Sequence, residues 1–442
     1  MENRRSYEER REFRRKRRLK SQIAAYIILF CIMAVVALGI VQWMKVHSQK
    51  QNENHVVHEN NQTVIDELIS TEEVITPPTA SPVPTEIPKT PQQLREEALD
   101  AKIAAMSLED KVAGLFIVTP EAITGVGTAI KAGDGTREAL EKYAVGGLVY
   151  FKKNIRSAEQ LTEMIENTKT YSKYPLFIAV DEEGGSVNRV AEAGLTAKQP
   201  SAAEIGATGD ANNAYQAGRT IGSYLTGFGF NLDFAPVADI NNVDGSVMKE
   251  RAYGTGAEAV APFVTSMMSG LQEQGVTACL KHFPGIGSTT ADTHKGLAAI
   301  ERTAEELRSQ ELTVFKAGID AGAQMIMVGH ASVEALSGNL TPASMSQKVI
   351  TDVLRNELGF QGVVITDALN MSAISEYYTS EQAAVMALKA GCDMILMPED
   401  FVQAYTGVLN AVAEGTISEE RINDSLKRIY RIKLADELIA VE

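Results

Sequence analysis

Eight short apolar runs recur between residues 93 and 442, and this spacing constrains the fold more than any other feature of the chain. They are Gly114–Val118, Gly146–Phe151, Leu176–Val180, Leu232–Val237, Ala278–Phe283, Met325–Gly329, Gly362–Thr366 and Met394–Pro398. Amphipathic stretches of helical length separate most of them: Ser157–Tyr171, Ala211–Phe228, Ala257–Gln274, Thr303–Ala321, Ser344–Leu358 and Ser380–Ala390. Strands that alternate with helices predict a parallel sheet. Eight such units without a dinucleotide-binding glycine fingerprint favour a closed (β/α)8 barrel over a doubly wound sheet. Such a barrel takes ~250 residues or more, and Ser418–Leu434 supplies a last helix to close the ring. The expected fold class is therefore α/β, a single TIM-type barrel over residues 93–442.

The first 92 residues read differently. Residues 1–20 hold ten Lys/Arg against four Glu, although the whole chain carries a net charge of −15. Ile23 to Val41 is almost wholly apolar, with Lys20 and Lys45 flanking it and Trp43 at its far edge. A membrane span needs ~20 such residues. The spacing predicts a transmembrane anchor over 21–44, with the basic tail 1–20 cytoplasmic and the body outside the cell membrane. The one small-x-small site, Ala37-Leu38-Gly39, sits inside the apolar run, which favours an uncleaved anchor over a signal peptide. Residues 45–92 are rich in Asn, Gln, Glu and Thr and then in Pro (Pro77, Pro78, Pro82, Pro84, Pro88, Pro91), the composition of an extended linker. The acidic body argues against a nucleic-acid partner. No Cys/His spacing suggests a metal site.

In a barrel of this kind, chemistry gathers at the C-terminal ends of the strands. The third run leads to Asp181-Glu182-Glu183-Gly184-Gly185 and then Arg189, and the fourth to Asp239, Asn241 and Arg251. The fifth ends in Lys281-His282 and continues into a loop of small residues that carries Asp292 and His294. The sixth ends at His330 and the seventh at Asp367. Of six histidines, His47, His55 and His58 precede the body, and two of the remaining three lie in the 281–294 segment. A carboxylate two residues before an imidazole, on a flexible loop, can fix the ring's tautomer and raise its proton affinity. Each residue also has a structural reading. Asp367 could cap a helix, Asp239 could hold a turn, Arg251 could pair with an acidic neighbour, Lys281 could be a solvated strand-end charge, and His330 could be a satisfied rim histidine. Taken together, the set suits glycoside hydrolysis, which needs a carboxylate nucleophile and a proton donor on either side of the scissile bond. Asp367 would be the first and His294, oriented by Asp292, the second. Asp181, Arg189, Arg251, Lys281 and His282 would hold sugar hydroxyls through charged, directional hydrogen bonds. Neither a GxSxG elbow nor a Walker or kinase motif is present.

The segment Lys281-His282-Phe283-Pro284-Gly285-Ile286-Gly287 through Asp292-Thr293-His294 resembles the signature of the β-N-acetylglucosaminidase branch of glycoside hydrolase family 3. Supporting matches are Met106 to Val112, Val180 to Gly185, Phe234 to Asp239, Thr341 to Ser344 and Thr366 to Leu369, so the resemblance covers about residues 96–435. It implies Asp367 as nucleophile, His294 as acid/base, Asp292 as its dyad partner, and sugar contacts from Asp181, Arg189, Arg251, Lys281 and His282. It further implies retaining hydrolysis of terminal β-linked GlcNAc without a cofactor, on a GlcNAc-containing glycan or muropeptide. The alternatives are a phosphorylase, because a histidine acid leaves room for an anionic acceptor, and a non-catalytic wall-binding protein. Ile286, Ser288 and Ser186 depart from the residues common in that branch. The loop from Gly285 to Gly296 is expected to be mobile, since three glycines punctuate it.

Overall fold

The computed structural model describes residues 89–292 and 296–439. The expected basic tail and membrane anchor, the linker up to residue 88, and His294 lie outside the described residues. Among the described residues no helix is long and apolar enough to cross a membrane.

All eight apolar runs contribute a strand. They form one parallel sheet from β1 (Phe116–Val118), β2 (Gly147–Val149), β3 (Phe177–Val180), β6 (Leu232–Asp233), β7 (Thr277–Phe283), β8 (Met325–Val328), β9 (Val363–Thr366) and β10 (Ile395–Leu396). Chain order is kept around the sheet, with β10 beside β1. A parallel bridge from Ile365 to Met394, together with Met394 N–H donating to Val364 O at 3.0 Å, joins β9 to the start of β10 and closes the ring. Every residue of these strands is buried, as parallel strands covered by helices require.

The strands are shorter than the runs that predict them. At the fourth, regular pairing stops at Asp233, where the register against β7 slips: Thr277 N–H donates to Asn231 O but Cys279 N–H to Ala235 O. The backbone still follows β7, through Cys279 N–H to Ala235 O at 2.9 Å and a bridge from Val237 to Lys281. One antiparallel hairpin was not anticipated: β4 (Glu182–Gly184) pairs with β5 (Val187–Asn188) directly after β3.

The helices start where the sequence offers caps. Ser157 accepts from Gln160 N–H, Ser418 from Arg421 N–H, and Thr303 and Thr379 form capping boxes with Glu306 and Gln382. Each such cap is worth ~1 kcal/mol. The first described helix, Pro91–Ala104, is capped by Thr90, so helix already begins within the last two residues of the stretch read as a linker. The stretch Ser344–Leu358 is a 3-10 turn (Ala343–Met345) followed by a wide π-helical segment (Lys348–Glu357). Thr303–Ala321 is two helices, Ala304–Ser309 and Glu311–Asp320, broken at Gln310. The Gln310 side chain accepts from Ala257 N–H at 3.1 Å, and the break turns Glu311 inward until it is only 1% exposed. Phe315 on the second of these helices packs edge-on against Phe283 of β7 at 5.1 Å.

Candidate active site

The C-terminal ends of β3, β7, β9 and β10 surround a cavity of about 300 Å³. Asp181, Arg189, Arg251, Lys281, His282 and Asp367 all line it, so six of the eight expected site residues converge. Strict strand alternation would send Lys281 and His282 to opposite faces. They reach one cavity because β7 carries an extra residue opposite β8, where the register slips between Leu280 and Phe283.

One wall is a compact charge cluster. Lys281 Nζ lies 2.8 Å from Asp181 Oδ1 and 2.6 Å from Glu183 Oε1. Arg251 grips Glu183 with both arms of its fork, Nε to Oε2 at 2.8 Å and Nη2 to Oε1 at 2.7 Å. Burial works against the charge on Glu183, but Lys281 and Arg251 outweigh it and hold the carboxyl well below the usual range. Burial likewise opposes the Lys281 ammonium, and Asp181 and Glu183 outweigh it and push it upward. Arg251 does pair with an acidic neighbour, and that neighbour fixes its position in the wall. Glu183 itself was not singled out from the sequence. The β4–β5 hairpin presents it, and buried Glu182 holds that hairpin by accepting from Val190 N–H (2.8 Å), Ala191 N–H (3.0 Å) and Tyr224 Oη (2.9 Å).

A second wall carries the histidines. His282 Nδ1 lies 2.8 Å from Asp239 Oδ2, and Asp239 Oδ1 accepts from Ile286 N–H at 2.7 Å. A carboxylate at Nδ1 places the proton there and leaves Nε2 as the free face of the ring. Asp239 is thus more than a turn residue: it orients His282 and ties down the chain after β7. His330 is fully buried, with Nδ1 2.8 Å from Ser344 Oγ and Nε2 2.9 Å from Ala368 O. It braces the backbone beside Asp367, close to the rim-histidine reading.

Asp367 directly follows β9, its N–H donating to Val328 O at 2.8 Å and its Oδ1 accepting from Ala368 N–H at 2.8 Å. Burial disfavours its charge. His282, His330, the Ala368 N–H and Lys281 overcome that penalty and lower the carboxyl below its ordinary range. Asp367 is therefore an ionised acceptor at neutral pH in a cavity whose other lining combines the paired charges of Asp181, Glu183, Arg251 and Lys281 with apolar groups such as Phe151, Phe234, Met371 and Met397. Arg189 stands at the mouth with its guanidinium 5.8 Å from the Phe151 ring and its buried Nε making no hydrogen bond among the described residues. Met397 has a φ of 44°, the left-handed region that non-glycine residues rarely adopt. No sequence pattern announces it.

Asp292 is half-buried on the loop after β7, and His294 lies outside the described residues, so their pairing stays an expectation of the sequence. Two of the three loop glycines serve packing. A Cβ on Gly285 would lie 2.6 Å from Glu311 Cγ, and one on Gly287 would lie 1.9 Å from Ile240 O. Among the described residues, nothing lies within 4 Å of a Cβ placed on Gly296.

The N-terminal domain of glycosyl hydrolase family 3 matches residues 99–432. A beta-hexosaminidase A of Pseudoalteromonas piscicida is 32% identical over 326 residues, 67% of this chain and 54% of that protein. A beta-hexosaminidase of Nitrosomonas eutropha is 37% identical over 270 residues, 60% of this chain and 76% of that protein. Among solved structures, a glycoside hydrolase family 3 beta-N-acetylglucosaminidase from Paenibacillus sp. aligns with a TM-score of 0.71 and 37% identity, over 76% of this chain and 63% of that one. The chain thus spans just over half the length of the Pseudoalteromonas protein and less than two thirds of the Paenibacillus one.

Proposed function

The chain belongs to glycosyl hydrolase family 3, and from that membership and the site geometry we propose that it is a retaining exo-β-N-acetylglucosaminidase. The observation that carries the reading is Asp367, an ionised carboxylate inside a cavity just large enough for a small ligand. In the first step an Asp367 oxygen bonds to the anomeric carbon. The glycosidic C–O bond breaks, its electron pair goes to the leaving oxygen, and His294, held by Asp292, protonates that oxygen. In the second step His294 takes a proton from water, the water oxygen bonds to the anomeric carbon, and the ester to Asp367 breaks. Asp181, Arg189, Arg251, Lys281 and His282 bind the hydroxyls of the terminal sugar. The clamp of Lys281 and Arg251 on Glu183 supports this role, because it holds two donors rigid before substrate arrives.

The beta-hexosaminidase names of the relatives support β-linked N-acetylhexosamine as the substrate. The anchor over 21–44 and the Pro-rich stretch after it support a barrel held outside the cell membrane, working on GlcNAc-terminated peptidoglycan fragments. The test uses the full-length protein with p-nitrophenyl β-GlcNAc, the corresponding β-glucoside, Asp367→Asn and added phosphate. The reading predicts GlcNAc-selective release that is lost in the variant and indifferent to phosphate. A phosphate-dependent rate yielding GlcNAc-1-phosphate would make the protein a phosphorylase. Binding without release would make it a wall-binding protein.

A further inference from the structure

We propose that Glu311 is a positioning residue for proton donation, tying down both stems of the loop that carries Asp292 and His294; this rests on the acid/base reading of that loop given above. Its Oε1 accepts from Ser288 Oγ, on the inbound stem. The same oxygen lies 3.3 Å from Arg302 Nε, on the outbound stem. It also accepts from Asn242 Nδ2 at 3.1 Å, and Asn242 belongs to the neighbouring loop that delivers Arg251 to the cavity. One buried carboxylate therefore gathers three chain segments around the catalytic loop.

The rest of the packing points the same way. Gly285 lies so close to Glu311 that any Cβ would strike its side chain. Asn242 N–H donates to Gly287 O at 3.3 Å, and Ile300 N–H donates to Ser332 O at 2.9 Å. The stems are thus fixed up to Ser288 and again from about residue 298, and both stems meet at Glu311. Stability alone does not explain a carboxylate here. Glu311 Oε2 and Arg302 Nε are both buried without a hydrogen-bond partner among the described residues, and a well-packed apolar residue is commonly as stable as an incompletely satisfied buried ion pair. The helix break at Gln310 that brings Glu311 inward also serves this contact.

A positioning role has a kinetic signature that general structural damage lacks. General acid catalysis contributes ~10²–10⁴-fold, and it matters most when the leaving group needs a proton. The experiment compares full-length wild type, Glu311→Gln and Ser288→Ala on 2,4-dinitrophenyl β-GlcNAc, whose leaving group departs unprotonated, and on an alkyl β-GlcNAc, which needs the acid. The expected result is a fall in kcat of about tenfold or more on the alkyl glycoside. On the dinitrophenyl substrate kcat/KM, which reports the first, glycosyl-transfer step, should change by less than about twofold. Equal losses on the two substrates, or no loss on either, would overturn the proposal. Ser288→Ala carries the same test if Glu311→Gln fails to fold. If wild type releases nothing from either glycoside, the hydrolase reading fails and this inference goes with it. A normal wild type with unselective variants removes only the role of Glu311.

Discussion

Replacing Glu183 by Gln should cost both stability and catalysis, and the size of each follows from its contacts. The side chain is 6% exposed and makes three charged contacts, one with Lys281 and two with Arg251. Gln keeps the shape but leaves two buried cations sharing a neutral partner. Removing one member of a buried ion pair typically costs ~3–5 kcal/mol. Asp181 remains beside Lys281 at 2.8 Å, which puts the expected loss at about 3 kcal/mol, the low end of that range. Because the folded carboxyl sits below its ordinary range, its stabilising effect is complete above the unfolded value of ~4.3 and is lost as pH falls through the lower folded value. The gap between wild type and variant should therefore persist at pH 7 and narrow only in acid. Arg251 and Lys281 would also lose their fixed positions, and a misplacement of about 1 Å in a substrate-holding group can cost ~10²-fold in kcat/KM. Denaturant unfolding followed by circular dichroism suits the first measurement, since the single Trp, Trp43, precedes the barrel. Steady-state kinetics on p-nitrophenyl β-GlcNAc supplies the second. A variant within about 1 kcal/mol of wild type, with kcat/KM within about threefold (under ~1 kcal/mol of transition-state stabilisation), would refute the argument that this clamp organises the site.

Asp239→Asn should lower kcat/KM by up to ~10²-fold, because His282 loses the partner that fixes its ring, and should lower the melting temperature as well, since buried Asp239 also holds Ile286 N–H. With Asp367 held ionised, the acid limb of kcat/KM against pH should fall below the ordinary Asp value of ~3.9 as far as the fold survives, and a limb above pH 5 would contradict it. Asp393→Asn should destabilise by ~3–5 kcal/mol with activity per folded molecule unchanged, since buried Asp393 gathers Arg355 (2.5 Å) and Arg428 (3.1 Å) just before β10, at the barrel end away from the cavity. Burial lowers Lys433 to about 7, so its contribution to stability should rise with pH from there towards the unfolded value of ~10.4; Lys433→Met should melt higher than wild type at pH 6.5, with the difference shrinking by pH 9.

The barrel was legible because each parallel strand, covered on both faces, must be an apolar run, and eight such runs survive inspection of the sequence alone. What the runs do not encode is where regular strand pairing ends, as after Asp233, or where a helix breaks, as at Gln310. The site residues on strand ends were legible for the same topological reason. Glu183 was not, because its meaning depends on partners 68 and 98 positions away that only the closed barrel brings together. Glu311 was hidden further, since a Glu near a helix start ordinarily reads as a solvated first-turn charge. The loop glycines illustrate the converse: read as hinges, Gly285 and Gly287 turn out to be the places where the backbone presses against Glu311 and Ile240.

The central claim is that Asp367 forms a bond to the sugar. Incubating the full-length protein with an activated 5-fluoro β-GlcNAc donor, which slows hydrolysis of the covalent adduct, and mapping the digest by mass spectrometry tests it directly. The account predicts one added sugar on the peptide that contains Asp367, chased off by an acceptor and absent in Asp367→Asn. A sugar on Asp181 or Glu183 instead, or steady turnover by Asp367→Asn with no adduct at all, would contradict it.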